Sequence, residues 1–452
     1  MQEHLIIIGG VAAGPKAAAK ARKENPDLKI TIYTDGYHIS YSSCSLPYYI
    51  EGLINNPGEL LVRSPETFKT KYNVNVRIRH RVVRISPESK KVEIENLETG
   101  EKFEDEYTKL LIATGARAFI PDIEGIHLNN VFTLRSYIDA LKIKEQMSKA
   151  KKAVIVGAGY IGLEMVEALY NSGLDVTIVE LACQILPILD SDTATQIQKY
   201  LFEEKNIKMV TCNKLKRLIG DENDNIKQVE TDQGEVIDAD IVILSIGVRP
   251  NIDLAASAGI EIGETGAIKV NDRMQTSIPD IYAAGDCAEQ THLITGKPVW
   301  VPLGSTANKQ GRVAAINITG GEAGFKGVLA SHVSKIFDYT NAGSGLSEKE
   351  AKKHGYDYET VIITHRDKSG HYPGVENITI KLIADKSTRK LLGGQVIGKG
   401  DADKRANIIA TALTAGMTID DISDIDITYS PPYSPVIDPV IVAAEALQDK
   451  LK

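Results

Sequence analysis

Two strand–glycine turn–helix units, two apolar strands that each run into a polar glycine turn, and a last third with no such turn predict an α/β chain. The architecture expected is two Rossmann-like dinucleotide-binding domains followed by a C-terminal α+β domain. The chain has 452 residues, enough for two or three domains.

The first unit opens at the strand Leu5-Ile6-Ile7-Ile8, passes through Gly9-Gly10-Val11-Ala12-Ala13-Gly14, and continues as an Ala- and Lys-rich helix over 16–23. A second strand, Lys29–Tyr33, follows. Free N–H groups and the helix dipole make such a turn a cradle for phosphate. The turn departs from the strict fingerprint because Val11 stands at the second glycine position. The acidic residue expected at the end of the second strand is displaced to Asp35, after Thr34. The second unit is complete: strand Lys152–Val156, Gly157-Ala158-Gly159-Tyr160-Ile161-Gly162, a helix over 163–171, and strand Asp175–Val179 closing on Glu180. An acidic side chain about twenty positions past the loop suits the ribose 2′-hydroxyl of NADH, and without a neighbouring cation it would repel the extra phosphate of NADPH.

Between and beyond these units, Leu110–Ile112 runs into Ala113-Thr114-Gly115, and Ile281–Ala283 runs into Ala284-Gly285-Asp286. The order of these four landmarks predicts a first domain, 1–115 with 247–325, interrupted by an NADH domain at 116–246. Residues 326–452 combine strand-like runs with a helical stretch at 404–415 and an apolar segment at 440–447, and read as an α+β domain that supplies a subunit interface.

Composition narrows the function. A net charge of −8 argues against nucleic-acid or anionic-membrane partners. The N-terminal apolar run is too short for a signal peptide, and no stretch has the length needed to span a bilayer. The four cysteines, Cys44, Cys183, Cys212 and Cys287, show no paired spacing; the expectation is neither a disulfide nor a metal site, and a cytoplasmic protein. Cys44, one βα unit past the first glycine turn in Ser42-Ser43-Cys44-Ser45-Leu46-Pro47, is placed to work as a single redox-active sulfur beside a bound cofactor.

Both loops, the Ala-Thr-Gly strand and the Gly-Asp turn together make the chain resemble the flavoprotein pyridine nucleotide-disulfide oxidoreductases over essentially its whole length. The lone Cys44 resembles the single-cysteine branch: coenzyme A-disulfide reductases, NADH oxidases, NADH peroxidases and NADH-dependent polysulfide or persulfide reductases. The resemblance implies FAD held by Gly9, Val11, Gly14, Asp35, Asp286 and the segment around Thr306, and NADH held by Gly157, Gly159, Gly162 and Glu180. Ser43, Thr114, Gly115 and Gly247 complete the cofactor-binding set. It also implies that Tyr160 gates the flavin, that Glu164 meets the nicotinamide side, and that Tyr372 and Tyr429 reach a partner subunit's site and protonate a leaving thiolate. Lys20, Arg22 and Lys23 are candidates for the phosphates of coenzyme A, against the plain reading of a solvated helix face. Ala12, where peroxidases carry a histidine, demotes peroxidase.

The expected activity is NADH-dependent, FAD-dependent reduction of a small disulfide, persulfide or polysulfide through Cys44. The alternatives are oxygen as acceptor, or electron transfer to an iron–sulfur partner protein. The resemblance implies a homodimer.

Overall fold

The apolar runs that read as buried strands pair into two parallel sheets. The computed structural model describes residues 3–452. The first sheet has the order Ile281–Ala283, Lys109–Ile112, His4–Ile8, Lys29–Tyr33, Asn75–Arg77, all parallel. Leu5, Ile6 and Ile7 are fully buried, because a parallel strand covered on both faces has no solvent side to alternate with. The second sheet repeats the plan with Lys208–Val210, Asp175–Val179, Lys152–Val156, Ile241–Leu244 and Val131–Thr133. The chain passes between the two through an antiparallel pair, Ala116–Ala118 with Val248–Pro250.

Each parallel sheet also carries a three-stranded antiparallel insert just before its return strand. In the first these are His80–Ser86, Lys91–Asn96 and Lys102–Glu106; in the second, Leu215–Gly220, Ile226–Thr231 and Val236–Asp238.

The C-terminal sheet is antiparallel, in the order His332–Ile336, Tyr339–Gly345, Leu391–Gly398, Asn377–Asp385, Tyr358–Arg366. Helices Ala402–Ala415 and Pro439–Lys450 bury Ile409, Leu413, Val440 and Leu447 in its core. The core of the second sheet takes in Ile336, Phe337 and Ile397 from this domain.

One expectation is overturned. Cys183 and Cys212 form a disulfide, with Cα atoms 4.3 Å apart. The pair lies 29 residues apart in sequence, a spacing with no local signature; adjacent parallel strands bring the two turns together. Among the described residues no helix is long and apolar enough to cross a membrane, and no group of His, Cys, Asp or Glu could hold a metal ion.

Candidate active site

The first glycine turn is fixed by close backbone approach. Gly9 has φ +114°, and a Cβ there would lie 2.0 Å from the Ala113 carbonyl oxygen; a Cβ on Gly14 would lie 2.1 Å from the Gly9 oxygen. The turn feeds the helix Ala13–Glu24, which packs on the helix Gly304–Ile318 so tightly that a Cβ on Gly311 would meet the Ala13 oxygen at 2.4 Å. Neither helix has a side-chain cap, so the first N–H groups of both are free. Gly9–Ala13, Gly304 and Ala307 all line one cavity of about 540 Å³. Two uncapped helix starts at one cavity favour an anionic, elongated ligand.

The same cavity is lined by Thr34, Asp35, Tyr41, Ser43, Cys44, Thr114, Gly115, Arg135 and Asp286. Val11 faces it too, while Thr306 is buried inside its helix, so Gly304 and Ala307 are the residues of that segment that front the space. Sequence reasoning missed Arg135: its guanidinium donates to Asp286 Oδ2 at 2.5 Å and to the Ala116 carbonyl at 3.0 Å. Asp35 keeps an exposed carboxylate, 3.6 Å from Arg81 Nε. Thr114 offers the cavity its surroundings rather than its hydroxyl, which donates to the Asn251 carbonyl.

Cys44 is the exposed free thiol of this wall; Cys287 is buried behind it, where desolvation pushes its thiol up. The Cys44 segment is clamped by Ser42 N–H to Leu60 O and Val62 N–H to Ser40 O, at 2.8 and 2.9 Å. It leads into a short helix, Leu46–Glu51, whose Leu46, Tyr49 and Ile50 enter the same core as Leu163 and Val166 of the second glycine-turn helix. The thiol contributed by the first unit is thereby seated against the second. Burial raises the Tyr48 phenol, and Glu164, Glu167 and Cys44 add to the shift.

In the second turn, a Cβ on Gly157 would lie 2.6 Å from the Ser245 oxygen and one on Gly162 2.0 Å from the Gly157 oxygen, whereas at Gly159 nothing lies within 4 Å. Gly159 is therefore the position where a ligand backbone can approach. Glu180 is buried and its carboxylate accepts from Ala158 N–H at 2.6 Å and Ala182 N–H at 2.7 Å. Gly247, at φ +101°, lies three residues past the neighbouring strand Ile241–Leu244 and directly before Val248–Pro250. The Tyr160 ring packs 5.1 Å from the His332 ring with its hydroxyl buried and unpartnered; burial pushes that phenol up. Glu164, four residues on, is pushed up to about 7 by burial and by the charge of Glu167.

Five assigned residues do not join the site within one chain. Arg22 donates its whole guanidinium to the backbone carbonyls of Asn25, Pro26, Leu28, Tyr72 and Asn73 and does not line the cavity. Lys20 pairs with Glu24, and Lys23 is exposed on the same helix; neither lines the cavity. Tyr372 and Tyr429 are exposed on the C-terminal domain, on loops joined by Ser369 N–H to Pro431 O and Ser369 Oγ to Ser434 O. Within one chain they do not meet Cys44's cavity.

Residues 3–311 match the pyridine nucleotide-disulphide oxidoreductase family, and residues 333–440 match its dimerisation domain. The chain belongs to this family. It is 38% identical over 451 residues to an NAD(P)H coenzyme A polysulfide/persulfide reductase of Pyrococcus horikoshii, with 99% of each chain covered. It is 39% identical over 449 residues to an NADH oxidase of Methanocaldococcus jannaschii, again with 99% of each covered. Among solved structures, an NAD-dependent persulfide reductase from A. fulgidus superposes with a TM-score of 0.96 at 41% identity, over 99% of this chain and 83% of that one.

The cofactors of this family are FAD and NADH, and the residues fit them. A cavity fronted by two uncapped helix starts and a Gly-Asp turn suits FAD, and the open face of Gly159 above Glu180 suits NADH.

Proposed function

We propose that this chain is an NADH-dependent reductase of small disulfides, persulfides or polysulfides, with coenzyme A derivatives as the leading substrates. The observation that carries the reading is that Cys44, an exposed free thiol, lines the cavity of the first glycine turn while the other cysteines are buried or paired. The names of the persulfide and polysulfide reductases among its relatives support the same acceptor class.

Bound FAD supplies two-electron transfer between nicotinamide and sulfur. The Cys44 sulfur attacks one sulfur of the acceptor, forming a mixed disulfide and releasing the first thiol or sulfide. Two electrons from NADH then cleave that bond, and the second thiol leaves while Cys44 is regenerated. Gly159 and Glu180 hold the adenosine half of NADH; Asp286, paired with Arg135, borders the flavin site. The dimerisation domain supports a homodimer in which Tyr372 and Tyr429 serve as proton donors at the other copy's Cys44.

The test is turnover of wild type and Cys44→Ser against coenzyme A disulfide, polysulfide and a dye. The variant should lose about a thousandfold of disulfide turnover with NADH-to-dye activity held within about threefold. Loss of neither activity, or of both together, contradicts the assignment.

A second reading makes oxygen the acceptor, favoured by the NADH oxidase relative at 39% identity. Fast aerobic NADH consumption without added disulfide, exceeding disulfide turnover, would select it. An iron–sulfur protein added to the same panel reads out the third acceptor class.

A further inference from the structure

Glu180 is followed, three residues on, by Cys183 of the disulfide, and both Cys183 and Cys212 are exposed to solvent. The two turns that carry them are zipped together around that carboxylate. Glu180 N–H donates to the Val210 carbonyl at 2.9 Å, Cys212 N–H to the Ala182 carbonyl at 2.9 Å, and Asn213 N–H to the Glu180 carbonyl at 3.1 Å. Ala182, adjacent to Cys183, sends its own N–H to Glu180 Oε1, while Oε2 takes Ala158 N–H inside the second glycine turn. A covalent link thus sits one residue from an amide that aims the side chain meant for the ribose of NADH. Cys212 is held at φ +54°, a left-handed conformation that residues with a Cβ rarely adopt. Opening the link would let that backbone relax and the Ala182 turn uncurl.

We propose that Cys183 and Cys212 form a redox-switched lock on the adenosine end of the NADH site, closed by the small disulfides that the enzyme reduces. The identity of the oxidant rests on the proposed function; the effect on NADH does not. In closing, the Cys183 thiolate attacks one sulfur of RS–SR and expels RS⁻. The Cys212 thiolate then attacks the Cys183 sulfur of the mixed disulfide and expels the second RS⁻. Two cysteine thiols lose two protons and two electrons, and one small disulfide becomes two thiols. Excess small thiol reverses the sequence. The closed form holds Glu180 preorganised, so NADH binds more tightly when acceptor disulfide is plentiful.

The experiment uses holoenzyme equilibrated either with coenzyme A disulfide or with a phosphine reductant, each then removed. Peptide mass mapping reports the state of the pair, and NADH kinetics are run with dichlorophenolindophenol as acceptor, which bypasses disulfide turnover. The expected result is a disulfide after the first treatment, free thiols after the second, and a KM for NADH about threefold to tenfold higher in the reduced form at unchanged kcat. Bound NAD⁺ should protect the pair from reduction by the factor by which the closed disulfide tightens NAD⁺ binding, as linkage requires. The Cys183→Ser/Cys212→Ser double variant should show the higher KM after either treatment, and the two wild-type states decide the matter if that variant fails to fold. Equal KM values in both states overturn the proposal, since a merely structural clamp would change stability alone. A pair that coenzyme A disulfide leaves as thiols overturns it too. Oxidation of the pair by a coenzyme A disulfide that is never turned over would sink the reductase reading and leave the lock standing.

Discussion

At the residue scale, the two glycines of the second turn separate folding from binding. Gly162 faces the Gly157 oxygen at 2.0 Å, so Gly162→Ala must push backbone apart and should destabilise the protein by about 3 kcal/mol, read as a drop in the denaturant midpoint. Gly159 has φ −79° and open space where a Cβ would point. Gly159→Ala should therefore fold with stability within about 0.5 kcal/mol of wild type, yet raise the KM for NADH about tenfold. An unchanged KM would remove Gly159 from the binding surface. Glycine turns are legible in sequence because a close approach leaves no other residue possible. The disulfide was not, since its partners meet only through strand pairing. Nor was the role of Arg22, whose carbonyl partners come partly from a segment around Tyr72 and Asn73 far along the chain.

At the element scale, the helix Tyr160–Asn171 carries an uncommon charge problem. Glu167 is engaged by Lys335 Nζ and the Phe337 N–H, whereas Glu164 is pushed up to about 7 by burial and by Glu167. Between the ordinary carboxylate range and about pH 7 the folded protein keeps a proton that the unfolded chain has released, so stability falls as pH rises through that window. Glu164→Gln should flatten this slope and be more stable than wild type at about pH 8, by about 2 kcal/mol, measured as unfolding free energy against pH. An unaltered slope would show that Glu164 does not titrate there. The parallel strands were legible because they are apolar on both faces. The three-stranded inserts were not: Lys91–Asn96 alternates short apolar and charged residues in a run too brief to stand out from loop. The helix Leu46–Glu51 that seats Cys44 escaped notice for the same reason, being only 6 residues long.

At the scale of the molecule, the order of the glycine turns and glycine-ended strands made the architecture readable, because it specifies which distant strands share a sheet. What joins the NADH unit to the C-terminal sheet was not readable. Lys381 is 2% exposed and reaches Asp192 at 2.7 Å, Asp190 at 3.3 Å and Glu348. Burial alone would lower its ammonium, but the hydrogen bonds it donates to Asp192 and Glu348 and the charge of Asp190 outweigh it and raise it. Asp190 also accepts from Gln395 and the Glu348 N–H, so the cluster spans four elements. Lys381→Ala leaves the buried Asp190 without its cation and should cost about 3 kcal/mol in a chemical denaturation curve. A loss well under about 1 kcal/mol would mean that water replaces the lysine.

These scales converge on one thiol, placed by a clamped loop against the wall of the first glycine turn's cavity and backed by the helix of the second glycine turn. Anaerobic NADH titration of holoenzyme pretreated with coenzyme A disulfide, with released thiol counted alongside, tests that placement most directly. Wild type should consume one equivalent of NADH beyond that taken up by Cys44→Ser and release one molecule of coenzyme A per Cys44. Identical titrations of the two proteins, with no thiol released, would contradict it.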